Sequence, residues 1–304
     1  MNLFYAQNLE DYRLAQAFEG QERGFYVDVG AGHPVADNVS FWFYLQGWRG
    51  LVVEPQRALA GLYAHVRPRD AAVAALVADR TGEAEFHAVD AMHGFSTMVP
   101  EAAQVARDLG AEVATVRLPV TTLAQLFGAH GVGRIDFLKV DVEGAEAAVL
   151  AGADWRRWRP RIVVIEAVAP GSMAPAWEAW EPDLLRNGYR FVLFDGLNRF
   201  YVAEEEQALA ARIPNEKPED PVPHLWGAGR APDNPGHPDH ALARRLVDGF
   251  LARLPGLDRD LIIDLLRAGG EPDAQDLAER VRGDAMSTAL GRIASRYDGG
   301  FPPE

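Results

Sequence analysis

The stretch Phe25-Tyr26-Val27-Asp28-Val29-Gly30-Ala31-Gly32 decides the fold of this chain. Its apolar, β-branched part reads as a buried parallel strand, and the two glycines turn the chain sharply where that strand ends. In open α/β sheets ligands bind at such carboxyl ends, and Asp28 places a carboxylate there. Working outward, the same pattern returns at Gly50 to Glu54, Ala72 to Val77, Ile135 to Val140, Arg161 to Val168, Arg190 to Phe194 and Arg199 to Val202, with Glu83 to Val89 and Val116 to Val120 as additions. Strands alternating with helical patterns predict an α/β fold around a doubly wound, mostly parallel seven-stranded sheet. Leu9 to Phe18 reads as an amphipathic helix, and Val39 to Gln46 as a short aromatic one that Asp37 or Asn38 starts and Gly47 ends.

With 304 residues, 48% of them hydrophobic, the chain can fill a sizeable core. Zero cysteines exclude disulfides and thiolate chemistry. A formal charge of -14 disfavours nucleic acid and anionic lipid as partners, because phosphate is held mainly by Lys and Arg. No apolar run approaches the roughly 20 residues that span a bilayer, so no membrane insertion is expected and a cytoplasmic location is the default. Seven prolines lie between Pro214 and Pro238. They break regular structure, so the expected organisation is a domain over 1–213, a Pro-rich linker over 214–238 and a helical appendage over 239–304. Helical periodicity returns at Ala241 to Leu254, Arg259 to Ala268 and about Asp273 to Tyr297. That appendage could serve as a lid, a docking surface or a homo-oligomer contact.

Gly30 and Gly32 begin the dinucleotide fingerprint, but Val35 occupies its third glycine position, with Pro34 beside it. A phosphate-bearing nicotinamide cofactor is thereby disfavoured, and an NAD(P)-binding oxidoreductase stays as the alternative enzyme class. S-adenosylmethionine carries no phosphate and is a net cation that acidic residues can hold. Glu54 closes the next strand 22 residues after Gly32, where a carboxylate can accept both ribose hydroxyl protons. Asp79 follows the third strand and suits an adenine amino group, or begins the turn toward Gly82.

These residues resemble the FkbM family of S-adenosylmethionine-dependent O-methyltransferases over about residues 5 to 202. The resemblance rests on Tyr26 to Gly32, Gly47-Trp48-Arg49-Gly50, Val53-Glu54-Pro55, Asp79 with Thr81-Gly82, Thr121-Thr122-Leu123 and, most specifically, Asp136-Phe137-Leu138-Lys139-Val140-Asp141-Val142-Glu143-Gly144-Ala145-Glu146. Ala6 to Asp11 also resembles an N-terminal element of such sequences. The resemblance implies a Rossmann-like methyltransferase sheet. It also implies that Asp28, Gly30, Gly32 and Asn38 surround the methionine end, Glu54 the ribose and Asp79 the adenine. His33-Pro34 departs from the Asn that many relatives carry after the glycine turn.

Methyl transfer needs an aligned oxygen and a base for its proton. Asp141 is the first candidate, Glu166 at the end of the fifth strand the second, and His93 the third. Glu143, Ser96 and Thr97 are candidates for substrate contact. Asp141 and Glu143 could instead cap the helix near Gly144. With Glu166 they could also hold Mg²⁺, which the spacing does not require. The expected acceptor is a small molecule or glycan, with a sugar hydroxyl or natural product implied by the resemblance; a non-catalytic binding module is the remaining alternative.

Overall fold

The computed structural model describes residues 3–89, 95–172, 174–215, 222–225, 231–268, 290 and 293. The chain divides into two compact units, Phe4–Pro221 and a second containing Val222–Glu304 and the first three residues.

The first unit is built on β1 (Phe25–Val29), β2 (Arg49–Val53), β3 (Ala71–Val73), β7 (Phe137–Val140), β8 (Ile162–Glu166), β9 (Tyr189–Phe194) and β10 (Asn198–Ala203). They form a seven-stranded sheet in the order β3-β2-β1-β7-β8-β10-β9. β1, β2, β3, β7 and β8 pair in parallel, and β10 runs antiparallel between its neighbours. Strand order reverses between β1 and β7, which makes their carboxyl ends the ligand position of the sheet.

Alternation along the strands feeds two cores. Val27, Val29, Leu51, Val53, Leu138 and Val140 face one side, where α5 (Leu123–Ala129), α6 (Glu146–Ala151) and α7 (Glu181–Arg186) supply Phe127, Val149 and Leu184. Tyr26, Val52, Phe137 and Val164 face the other, covered by α1 (Glu10–Ala17), α2 (Phe41–Leu45), α3 (Arg57–Val66) and α8 (Gln207–Ala210). The aromatic run of α2 is core: Phe43 packs on Trp48 and Phe137 at ring distances of 4.8 and 4.9 Å. Gly47, at φ +92°, ends that helix in the left-handed conformation that glycine adopts freely.

The stretch expected as one strand over Ala72 to Val77 divides. β3 pairs with β2, whereas β4 (Leu76–Val77) joins a separate three-stranded sheet with β5 (Gly82–Val89) and β6 (Val113–Thr121). The two added strands therefore form a small sheet of their own, and α4 (Pro100–Asp108) lies between them in sequence. In the second unit, helices His240–Arg253 and Arg259–Ala268 match two of the expected helices; Leu242, Leu246 and Phe250, four residues apart, are exposed. The third, Asp273 to Tyr297, lies outside the described residues except for Leu290 and Ile293. No helix among the described residues is long and apolar enough to cross a membrane.

Candidate active site

Backbone hydrogen bonds pin three strand tips together. Gly30 and Ala31 N–H groups donate to the Val53 carbonyl at 2.9 and 3.1 Å, and Asp141 N–H donates to the Val29 carbonyl at 3.0 Å. A Cβ on Gly30 would stand 1.6 Å from the Asp141 carbonyl oxygen, so this crossing requires glycine. Glu54, just past β2, accepts from Gly32 N–H at 2.9 Å and from Gln56 N–H at 2.8 Å. One bond falls on each oxygen, so each keeps a lone pair for a ligand. Burial pushes the Glu54 carboxyl up to about 7.

The loop after the glycines is tied down from beneath. Asn38 donates to the Ala31 carbonyl and the Tyr63 hydroxyl, and its carbonyl oxygen accepts from Ser40 and Arg67. Its amide is thus spent on the loop, and it does not cap α2, whose preceding residue is Ser40. Ser40 Oγ donates to Asp28 at 2.6 Å and accepts from Arg67 at 2.8 Å. Burial raises the Asp28 carboxyl, against the lowering pull of Ser40, Arg67 and Lys139.

Across the switch point, Lys139 lies in a strand buried along its whole length. Its ammonium donates to Asp141 at 3.0 Å and to Asn198 at 2.6 Å, and Asn198 donates to Glu10 at 2.5 Å. Burial alone would lower the lysine; Asp141, Glu10 and Glu166 outweigh it and push the group above its ordinary value. Glu10 accepts from Asn8 N–H and Asp11 from Tyr5, Ala6 and Tyr12 N–H groups, which orders the N-terminal element, while the Asn198–Glu10 bond ties it to β10.

Asp141, Glu143 and Glu166 converge, each offering an oxygen within 4.8 Å of the others. Glu143 has φ +55°, a left-handed conformation costing a non-glycine residue about 1–2 kcal/mol. The Thr97 hydroxyl donates to the Glu143 carbonyl at 2.7 Å and accepts from Val99 N–H, so Thr97 holds that turn with its full hydroxyl. Glu146, the first residue of α6, accepts from Val142 and Gly144 N–H groups at 3.1 Å and ties the preceding turn to the start of that helix. Asp141 and Glu143 remain turned to the trio. Glu166 is 8% exposed, and its Oε2 has no partner among the described residues.

Burial first, then repulsion from Asp141, pushes Glu166 up to about 11 and Glu143 up to about 9. Both therefore hold protons at neutral pH. A carboxyl raised in the folded state above its ordinary 4.5 stabilises the fold most fully below 4.5, and that contribution drains away as pH rises toward about 11. Each such group steepens the decline by about 1.4 kcal/mol per pH unit in that window. Glu166→Gln is therefore expected to flatten the fall of melting temperature with pH on the alkaline side of neutrality, in thermal melts followed by circular dichroism. An unchanged slope would mean that Glu166 is not the buried acid.

Asp79 follows β4 of the small sheet, half exposed and 3.4 Å from Arg80. Ser96 Oγ accepts from Val89 N–H at 3.0 Å. His93 lies outside the described residues.

Residues 28–191 match the methyltransferase FkbM domain, over half of the chain. The chain belongs to the FkbM methyltransferase family. Within that span lie the glycine turn, Glu54 and the acid trio, and the nicotinamide alternative falls with the match. Methyltransferase sdnD of Sordaria araneosa is 52% identical over 51 residues, 16% of this chain and 20% of that protein. The matched segment thus spans a fifth of the length of that curated relative. In this FkbM methyltransferase the residues that sequence reasoning missed are supports. Arg67, Tyr63 and Ser40 hold the glycine loop, while Lys139, Asn198 and Glu10 hold Asp141. A lysine between Leu138 and Val140 in a buried strand was the visible signal, since such a charge demands carboxylates.

Proposed function

We propose that the chain is an S-adenosylmethionine-dependent O-methyltransferase acting on a hydroxyl of a small-molecule acceptor. The observation that carries this reading is the convergence of Asp28, Glu54 and Asp141 at the tips of β1, β2 and β7 around a glycine turn, beside Glu166, one oxygen of which has no partner among the described residues. Such a donor set fits a net cation without phosphate. Asp28, Gly30 and Gly32 would hold its methionine end and Glu54 its ribose hydroxyls; Asp79, in the bend after β4, is the candidate for adenine. S-adenosylmethionine, when bound, supplies a methyl group on a sulfonium, which departs as a neutral thioether when an oxygen attacks the carbon. Asp141 is the ion-paired member of the trio and receives the hydroxyl proton. Glu143 and Glu166, protonated at neutral pH, keep the surroundings from repelling the proton's acceptor.

The direct test incubates the protein with isotopically labelled S-adenosylmethionine and hydroxylated acceptors and follows label into ether products. Absence of cofactor binding by calorimetry would sink the reading. A second reading has a specific observation behind it: the trio also suits a hard divalent cation such as Mg²⁺. Transfer is expected to survive exhaustive chelation; activity abolished by chelator and restored by Mg²⁺ would assign a metal to the trio.

Glu54→Gln is expected to weaken S-adenosylhomocysteine binding by roughly 10- to 100-fold, the scale of a lost hydrogen bond to a charged group. Because Glu54 ionises near pH 7 in the fold, binding to the unmodified protein should weaken as pH falls below that value. The variant should lose this dependence. Titration calorimetry above and below neutrality checks both.

A further inference from the structure

A cavity of about 330 Å³ lies between α4, the start of α6 and the chain after β8, at the lower end of small-molecule sites, which run from about 300 to 1,000 Å³. Ala102 and Val105 of α4 contribute to one wall, and Ala147 of α6, Ala169, Ala176 and Trp180 contribute to the others. Two wall residues tie it to the chemistry. Gly144 directly follows Glu143, and Ala169 comes three residues after Glu166. The polar chemistry of the wall is sparse. Its two carboxylates are Glu101, which is exposed at the start of α4, and Glu146, which already accepts two backbone N–H groups.

We propose that this cavity seats the body of the methyl acceptor, and that the acceptor is a hydroxylated molecule with an apolar ring or cage body. This assignment rests on the methyl-transfer reading and narrows its substrate class. The argument is one of partners. A sugar brings hydroxyls all around its ring, and walls of alanine and valine leave each of them without the hydrogen bonds it had in water. An apolar body loses nothing on these walls and gains from leaving water. The single hydroxyl to be methylated then lies toward Asp141, Glu143 and Glu166, where polar groups gather. The sugar expected from sequence resemblance is the poorer fit to this wall.

The test uses the full chain with naphthol and borneol as apolar alcohols and methyl glucoside as the sugar, in calorimetry with S-adenosylhomocysteine present. Naphthol and borneol should bind and methyl glucoside should not. Ala102→Phe and Ala176→Leu, which fill the cavity from two different elements, should each weaken naphthol binding about tenfold or more while S-adenosylhomocysteine affinity and melting temperature hold. Binding of methyl glucoside alone, failure of both apolar alcohols to bind, or naphthol affinity unchanged in both variants overturns the assignment. If S-adenosylhomocysteine gives no heat while naphthol binds and responds to both substitutions, the methyl-transfer reading fails and the cavity assignment survives as a binding site.

Discussion

Asp141→Asn is expected to slow methyl transfer by roughly 10² to 10⁴, the usual worth of a positioned general base. The substitution is close to isosteric, so the loss should fall on kcat and leave KM and S-adenosylhomocysteine affinity nearly unchanged. Two features of the fold support that separation. The Asp141 backbone N–H, which holds the Val29 carbonyl at 3.0 Å, survives in the variant. The asparagine oxygen can still accept from Lys139, whose second partner, Asn198, stays in place. What disappears is the carboxylate that takes the proton. Near-normal turnover in single-turnover measurements would remove Asp141 from the chemistry and pass the role to Glu143 or Glu166, whose raised values would then appear as an alkaline limb in the pH profile.

The strand tips were legible in the sequence because each is a local event. Apolar runs stop at Gly30, at Glu54, at Asp141 and at Glu166, and a parallel sheet brings successive tips to one edge. The run Ala72 to Val77 misled because nothing local marks where its pairing changes. Val73 lies beside Val53, and Leu76 beside Val120. Two alanines between them fit either sheet, so Asp79 ends up half exposed beyond the smaller one. The capping alternative at α6 was open for a similar reason. Asp141, Glu143 and Glu146 all precede or start that helix, and only the positive φ at Glu143 and the bonds to Glu146 show which acid turns back to the backbone.

Arg67 could not have been found by spacing, because its partners arrive from separate stretches of chain, and its removal is expected to have the largest effect on stability. The side chain is fully buried. Its guanidinium bonds Asp70 at 2.7 Å and donates to Asn38, Ser40, the Tyr26 hydroxyl and the Pro34 carbonyl. The rings of Tyr26, Phe41, Tyr44 and Tyr63 surround it at 4.9 to 5.9 Å. Arg67→Met keeps much of the volume but leaves Asp70 buried without its counter-charge, for which losses of about 3–5 kcal/mol are typical. Asp70 would retain only the Tyr26 hydroxyl and Gly50 N–H. Adding Asp70→Asn should recover part of the loss, because it removes the stranded charge, and urea denaturation of the two variants measures the difference. The effect should also reach the site. Arg67 donates to Ser40, and Ser40 donates to Asp28 at 2.6 Å, so loosening the first bond frees the loop that carries Gly30 and Gly32 toward the ligand. S-adenosylhomocysteine affinity should therefore fall in Arg67→Met under conditions where the variant is still folded, and stay low in the double variant even as its stability returns. A single variant losing less than about 1 kcal/mol would show that the aromatic cage, and not the buried cation, holds this half of the site.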